Sequence, residues 1–184
     1  MVLAGLALVA GVLTAGCLAN DDSNVEPAGT AKSVSTTETT PIADACILVT
    51  PAEAASALGE KVTFAESSSS TDGLGNRSCV FKAAAPGSKR LVEVRVIQNA
   101  SISTAERKKG TTASSEFEKA RVSFAKRPEG ATPVANAGDS AFWNGTRLYV
   151  LKQDVLLTLL VGDEAAGNVG ATTPLARSAA KRIK

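Results

Sequence analysis

The stretch Val155-Leu156-Leu157-Thr158-Leu159-Leu160-Val161 is apolar at every position except Thr158. A strand with one wet face alternates in character, so a continuous apolar run of this length needs cover on both faces. It predicts a central strand in a layered domain. Neighbours for it are visible on both sides in the chain. Arg77–Ala83 reads as a strand centred on Cys79-Val80-Phe81. Leu91–Ile97 alternates, with Val92, Val94 and Val96 on the buried side and Leu91, Glu93, Arg95 and Ile97 on the other. Lys61–Glu66 predicts a further strand, with Val62 and Phe64 on one face. Ala137–Trp143 and Thr146–Lys152 flank Asn144-Gly145, a strong hairpin signal because both residues tolerate positive φ. Gln153-Asp154 then turns the chain into the central run.

Helix signals separate these strands. Thr50 is an N-cap, Pro51 suits the first helical position, Glu53 closes a capping box and Gly59 ends the helix. Ser101–Arg127 predicts a broken helix. Ser103 opens one piece, Gly110-Thr111-Thr112 interrupts it, and Ser114 or Ser115 opens another through Phe117, Ala120, Arg121 and Phe124. Thr173-Pro174 predicts the start of a last helix, with Leu175, Ala179 and Ile183 opposite Arg177, Lys181, Arg182 and Lys184. Ser67–Asn76 reads as a flexible polar loop, and 162–170 as a second loop. The expected fold class is α+β: an antiparallel sheet of about six strands with flanking helices placed to one side. The two halves share an element order without a sequence repeat.

The amino-terminal part has a different character. Val2–Val12 is apolar and small, about as long as a signal-peptide core and too short to span a bilayer. Leu13-Thr14-Ala15-Gly16-Cys17 follows it and resembles a bacterial lipobox, in which the cysteine thiol receives diacylglycerol and the signal is cleaved before it. Thr14 stands where the commonest pattern has Leu, and no Lys or Arg follows Met1, so the n-region is expected to begin upstream. An ordinary secretory signal is the alternative. Residues 17–43 carry no aromatic and no hydrophobic period, and read as a disordered tether. The organisation expected is a signal peptide at 1–16, a Ser/Thr/Asp-rich tether at 17–43 and a single α+β domain at 44–184. Lipid on Cys17 would place that domain at the extracytoplasmic face of the cell membrane, as a palmitate-bearing lipoprotein.

Charge and cysteine content narrow the chemistry. The tether holds Asp21, Asp22, Glu26 and Glu38 against Lys32, so the net +2 of the chain becomes −3 there and +5 in the domain. That surplus suits an anionic wall polymer or an anionic membrane surface; a plain solvated surface explains it too. The same two readings apply to Arg107-Lys108-Lys109. No nucleic-acid partner is indicated. With Cys17 lipidated, Cys46 and Cys79 remain, and an extracytoplasmic disulfide is the expected pairing. A metal or redox pair is the rival, opposed by the spacing of 33 and the absence of a Cys-x-x-Cys.

The chain has no histidine, which excludes Ser-His-Asp and Cys-His catalysis and leaves no metal or cofactor expected. A Ser/Lys pair is the remaining nucleophile option. Ser123-Phe124-Ala125-Lys126 has its spacing, although Phe124 reads more simply as core. Asp139 is the best-placed acid, explained by turn capping. Trp143, Arg147 and Tyr149 gather around one hairpin, with Arg147 and Tyr149 on the same face by alternation. They form a candidate binding patch, with core packing as its alternative.

Four short motifs resemble a bacterial lipoprotein domain family of unknown function. They are Asp44-Ala45-Cys46-Ile47-Leu48-Val49-Thr50, Ser78-Cys79-Val80-Phe81, Gly138-Asp139-Ser140-Ala141-Phe142 and Leu175-Ala176-Arg177. In that family an Asp-x-Cys-x-Leu-Leu-Thr opening precedes a short helix and a second cysteine; Val49 replaces the second Leu here. The resemblance implies an α+β, PsbP-like sheet and brings no catalytic residues. The expectation is thus a non-enzymatic, lipid-anchored envelope domain that binds a partner protein, wall polymer or small apolar ligand. A hydrolase or transferase using carboxylates or Ser123 and Lys126 is the alternative.

Overall fold

The computed structural model describes residues 41–42 and 44–184. The expected signal peptide, Cys17 and tether residues 17–40 lie outside the described residues. Seven antiparallel strands form one sheet: β1 (Val62–Ser69), β2 (Arg77–Ala83), β3 (Leu91–Gln98), β4 (Thr132–Pro133), β5 (Ser140–Trp143), β6 (Leu148–Lys152) and β7 (Val155–Gly162). The helices are α1 (Pro51–Leu58), α2 (Thr104–Lys108), α3 (Ala113–Ala125) and α4 (Val169–Ala180). The seventh strand, absent from the sequence expectation, is the two-residue β4, whose Pro133 cannot donate to a ladder.

The strand order is β1-β2-β3-β7-β6-β5-β4. Two meanders therefore meet where β3 pairs with β7, in register from Leu91↔Gly162 to Gln98↔Val155. The apolar run is the central strand, as its composition requires. Its odd-numbered residues face one layer and its even-numbered residues the other. On the first face Leu157 and Leu159 join Val92, Val94 and Phe81 beneath α1, α4 and a 3-10 turn at Ala45–Leu48. On the second face Leu156 and Phe142 pack with Ala113 and Phe117 of α3.

This corrects the expectation that all helices lie to one side. Leu156 is as apolar as Leu157, so each face of β7 needs its own cover, and α3 supplies the second. The similar element order of the halves does not extend to this layering, because α1 and α3 sit on opposite faces. The second face of β1 and β2 is mostly polar, with Glu66, Ser68, Ser78 and Lys82 beside a half-buried Val80.

Local signals behave as their chemistry dictates, with four displaced boundaries. Thr50, Pro51, Glu53 and Gly59 start and end α1 as predicted, the box closing through Thr50 N–H to Glu53 Oε2 (2.8 Å) and Glu53 N–H to Thr50 Oγ1 (3.2 Å). The α3 cap is Thr112, not Ser114 or Ser115. Thr112 Oγ1 accepts from Ser115 N–H, and Asn99 Oδ1 accepts from the buried Ala113 N–H, which moves the start forward. The α4 cap is Asn168, not Thr173, and Pro174 lies inside the helix on an exposed position. Strand β1 continues through Ser67, Ser68 and Ser69, each paired with β2, so polarity alone did not mark the loop's start. Finally Ile42, placed in the tether by the sequence, is only 5% exposed and its N–H donates to Gln98 Oε1. Core packing thus begins at Ile42 and ends at Ile183, so residues 42–184 contain their own core.

Cys46 and Cys79 form a disulfide with Cα atoms 5.0 Å apart. It ties the turn before α1 to β2, the junction anticipated from cysteine count.

Candidate functional site

A cleft of about 460 Å3 opens on the second face where α3 stops short of covering β3. Its floor comes from alternate positions of three strands: Arg95 and Ile97 of β3, Leu156 and Thr158 of β7, and Tyr149 of β6. Glu116 and Ala120 of α3 form one wall, and Arg147 and Asn76 close the ends. The register explains the grouping. Thr158 lies opposite Arg95 on one side and Tyr149 on the other, so three side chains line up across the sheet.

Glu93 organises the charge beneath this row. It lies on the helix-free portion of the second face yet is only 8% exposed. Arg95 Nε donates to Glu93 Oε1 at 2.5 Å, and Arg147 Nη2 donates to Glu93 Oε2 at 3.0 Å. Both carboxylate oxygens are thereby used in holding guanidinium groups. The two Nη groups of Arg95 and Nη1 of Arg147 make no hydrogen bond among the described residues, nor do the hydroxyls of Thr158 and Tyr149. The buried Arg147 Nε also has no partner there. The sheet side of the cleft therefore presents free donors above a floor that is partly apolar, while the one carboxylate in the wall, Glu116, pairs with Lys119 at 3.5 Å.

Aromatic packing fixes Tyr149. Its ring stacks on Phe142 at 4.7 Å between centroids, and Phe124 lies 5.6 Å away. Phe117 meets Phe142 edge-on at 5.2 Å, so α3 rests on a continuous aromatic layer. Burial pushes the Tyr149 phenol pKa up, with the Arg147 charge opposing it, so the hydroxyl stays protonated in ordinary conditions.

The predicted patch divides. Arg147 and Tyr149 share the cleft, as alternation placed them. Trp143 does not join them, because its ladder partner is Leu148, whose side chain lies in the first-face core. Its ring instead packs beside Gly167, where a Cβ would come within 2.7 Å of it. Asp139 has the turn role expected: Oδ2 accepts from Gln153 N–H at 2.7 Å and Oδ1 from Lys152 Nζ at 2.8 Å, which lowers its pKa. Ser123 and Lys126 are both exposed at the end of α3 and do not line the cleft. Within the basic run, Lys109 pairs with Glu106 while Arg107 and Lys108 remain exposed.

Glu93, Arg95 and Thr158 were not anticipated as site residues. The available signal was charge on the non-core face of β3, together with one polar residue in an otherwise apolar β7. Neither identifies a site until the two strands are known to be neighbours.

A larger hollow of about 800 Å3 lies at the other end of the sheet, between Lys82–Leu91 and Asp163–Ala165. Two of its three cations are engaged, Lys82 with Glu66 and Arg90 with Glu60, while Lys89 is exposed and makes no ion pair among the described residues. Asp163 closes its own turn through Ala165 and Ala166 N–H. Volume favours that hollow, but the convergence of two guanidinium groups with two hydroxyls favours the cleft under α3. No cluster of three or more metal-ligating side chains occurs among the described residues. Comparison with known proteins returned nothing: no protein family, curated protein or solved structure matches this chain.

Proposed function

We propose that the chain is a lipid-anchored cell-envelope protein whose domain is a non-enzymatic binding module, with the cleft beneath α3 as its site. The observation that carries this reading is the Glu93-held pair Arg95 and Arg147, whose spare donors converge with Thr158 and Tyr149. Polar groups converging in a partly apolar cavity of a few hundred Å3 are the usual form of a small-molecule site. Of the occupants expected from sequence, a small ligand or one unit of a wall polymer suits such a cleft better than a flat protein face does. The motif resemblance to the lipoprotein family is in keeping with this role.

Anchoring rests on Leu13–Cys17, and the disulfide supports an oxidising compartment. Among the described residues no helix is long and apolar enough to cross a membrane. Metabolic labelling with a fatty-acid probe tests this part: label on the wild type and none on Cys17→Ser is the expected result. Persistent labelling of Cys17→Ser would remove the anchor. Amide-resolved NMR of the domain against envelope extracts tests the site, with shifts expected at Arg95, Tyr149 and Thr158.

A further inference from the structure

We infer that the cleft beneath α3 takes an organic carboxylate, its oxygens held by Arg95 and Arg147 and its carbon body lying on Tyr149, Ile97 and Leu156. This rests on the reading of that cleft as the binding site and names the chemistry of its occupant.

Three observations lead to it. The first is charge. Arg95 and Arg147 are opposed by the one carboxylate of Glu93, while Glu116 is offset by Lys119 at 3.5 Å. Arg127 adds to this surplus from its place over Phe124, beside Tyr149, so cations outnumber carboxylates around the cleft and an anion is the occupant they suit.

The second is hydrogen-bonding valence. Glu93 uses both oxygens on Arg95 Nε and Arg147 Nη2, so the remaining Nη groups are held in place without being consumed. A carboxylate has two oxygens able to accept several bonds and no hydrogen to donate. It is the complement of the spare N–H and O–H groups that Arg95, Arg147, Thr158 and Tyr149 present on the sheet side of the cleft. Planar guanidinium groups match its fork shape better than an ammonium does.

The third is the floor. Ile97, Leu156 and the Tyr149 ring are only partly covered or meet the cavity directly, and the cavity of about 460 Å3 exceeds the space a bare inorganic anion fills. The ligand therefore needs a carbon body beside its charged end. Two envelope sources have that chemistry: the acid end of an acyl chain and a sugar acid of a wall polymer.

The test uses residues 41–184, which contain their own core, labelled with nitrogen-15. Two matched probe pairs are titrated at millimolar concentration: hexanoate with hexan-1-ol, and glucuronate with glucose. At least one carboxylate is expected to bind about tenfold more tightly than its uncharged partner, with shifts at Arg95, Thr158 and Tyr149. The pair that shows the preference identifies the source as acyl or sugar. Arg95→Gln and Arg95→Lys should each weaken that binding about tenfold, because lysine keeps the charge but lacks the fork. Arg95 is about half exposed at 54%, so these variants should keep the fold, unlike changes at Arg147. Equal binding of charged and uncharged partners in the cleft would overturn the carboxylate class and leave the binding site standing. No shift in the cleft from any of the four probes would overturn both.

Discussion

Glu93 and Arg147 meet across β7: Arg147 Nη2 lies 3.0 Å from Glu93 Oε2, although 54 residues separate them in the chain. The pair spans the central strand above Leu160, which lies opposite Glu93 in the ladder. It joins the two meanders on the face where the cleft opens. Glu93→Gln removes the charge that holds two arginines and should cost about 1–3 kcal/mol, read from the urea midpoint. Glu93→Leu combined with Arg147→Leu should recover most of that loss, since no buried charge is left alone. A double variant no more stable than Glu93→Gln would contradict this account of the pair.

Glu53 links the start of α1 to the end of the chain. Its Oε1 accepts from Ser178 Oγ and Arg182 Nη2, each at 2.7 Å, while Oε2 serves the capping box. The Arg182 guanidinium is the main reason its pKa falls from 4.5 to about 2, with Thr50 and Ser178 adding to the effect against burial. A depressed carboxylate contributes stability that is complete above the unfolded pKa and disappears as pH falls through the folded one. The contribution is therefore full above about pH 4.5 and lost towards pH 2. With solvent screening, Glu53→Gln should cost about 1–2 kcal/mol at pH 7, and the gap to wild type should close on acidification. A gap that stays constant from pH 7 to about pH 2 would exclude Glu53 as its source.

The Cys46–Cys79 bond closes a loop across a separation of 33 residues. On chain-entropy grounds, Cys46→Ser with Cys79→Ser should cost about 3–4 kcal/mol. Added reductant should lower the denaturation midpoint of the wild type and leave that of the double variant unchanged.

Two glycines separate backbone conformation from close approach. Gly59 ends α1 at φ +70° with no atom within 4 Å of an added Cβ. Gly59→Ala should therefore cost only the left-handed conformation, about 1 kcal/mol. At Gly167 an added Cβ would lie 1.9 Å from Thr146 O and 2.7 Å from the Trp143 ring. Gly167→Ala must displace the β5–β6 connection and should cost about 2–3 kcal/mol, accompanied by a change in Trp143 fluorescence. Loss of stability without that fluorescence change would mean the strain is relieved elsewhere.

The cleft shows what kind of information the chain carries locally. Arg147 and Tyr149 are two apart on one strand, so alternation alone put them on one face. Alternation likewise put Glu93 and Arg95 together on β3. Nothing in either pattern indicates that both pairs share one surface, because that depends on β7 inserting between β3 and β6. Trp143 failed for a related reason. It lies one residue from Phe142, and in a strand that single step changes the face.

Sequence by itself determined the features set by near neighbours or by composition. These are the capping box of α1, the span of β2, the central place of β7, the antiparallel α+β class and the cysteine pair. Backbone caps, period-two alternation and solvent avoidance act over a few residues, so a short window contains their cause. Tertiary structure decided that α3 covers the second face, that Asn168 rather than Thr173 caps α4, and that Ile42 belongs to the core. It also buried Glu93 between two arginines. Each of these depends on which surfaces compete for the same cover, and that competition exists only once β3 and β7 have paired across a sequence separation of 57 to 71 residues.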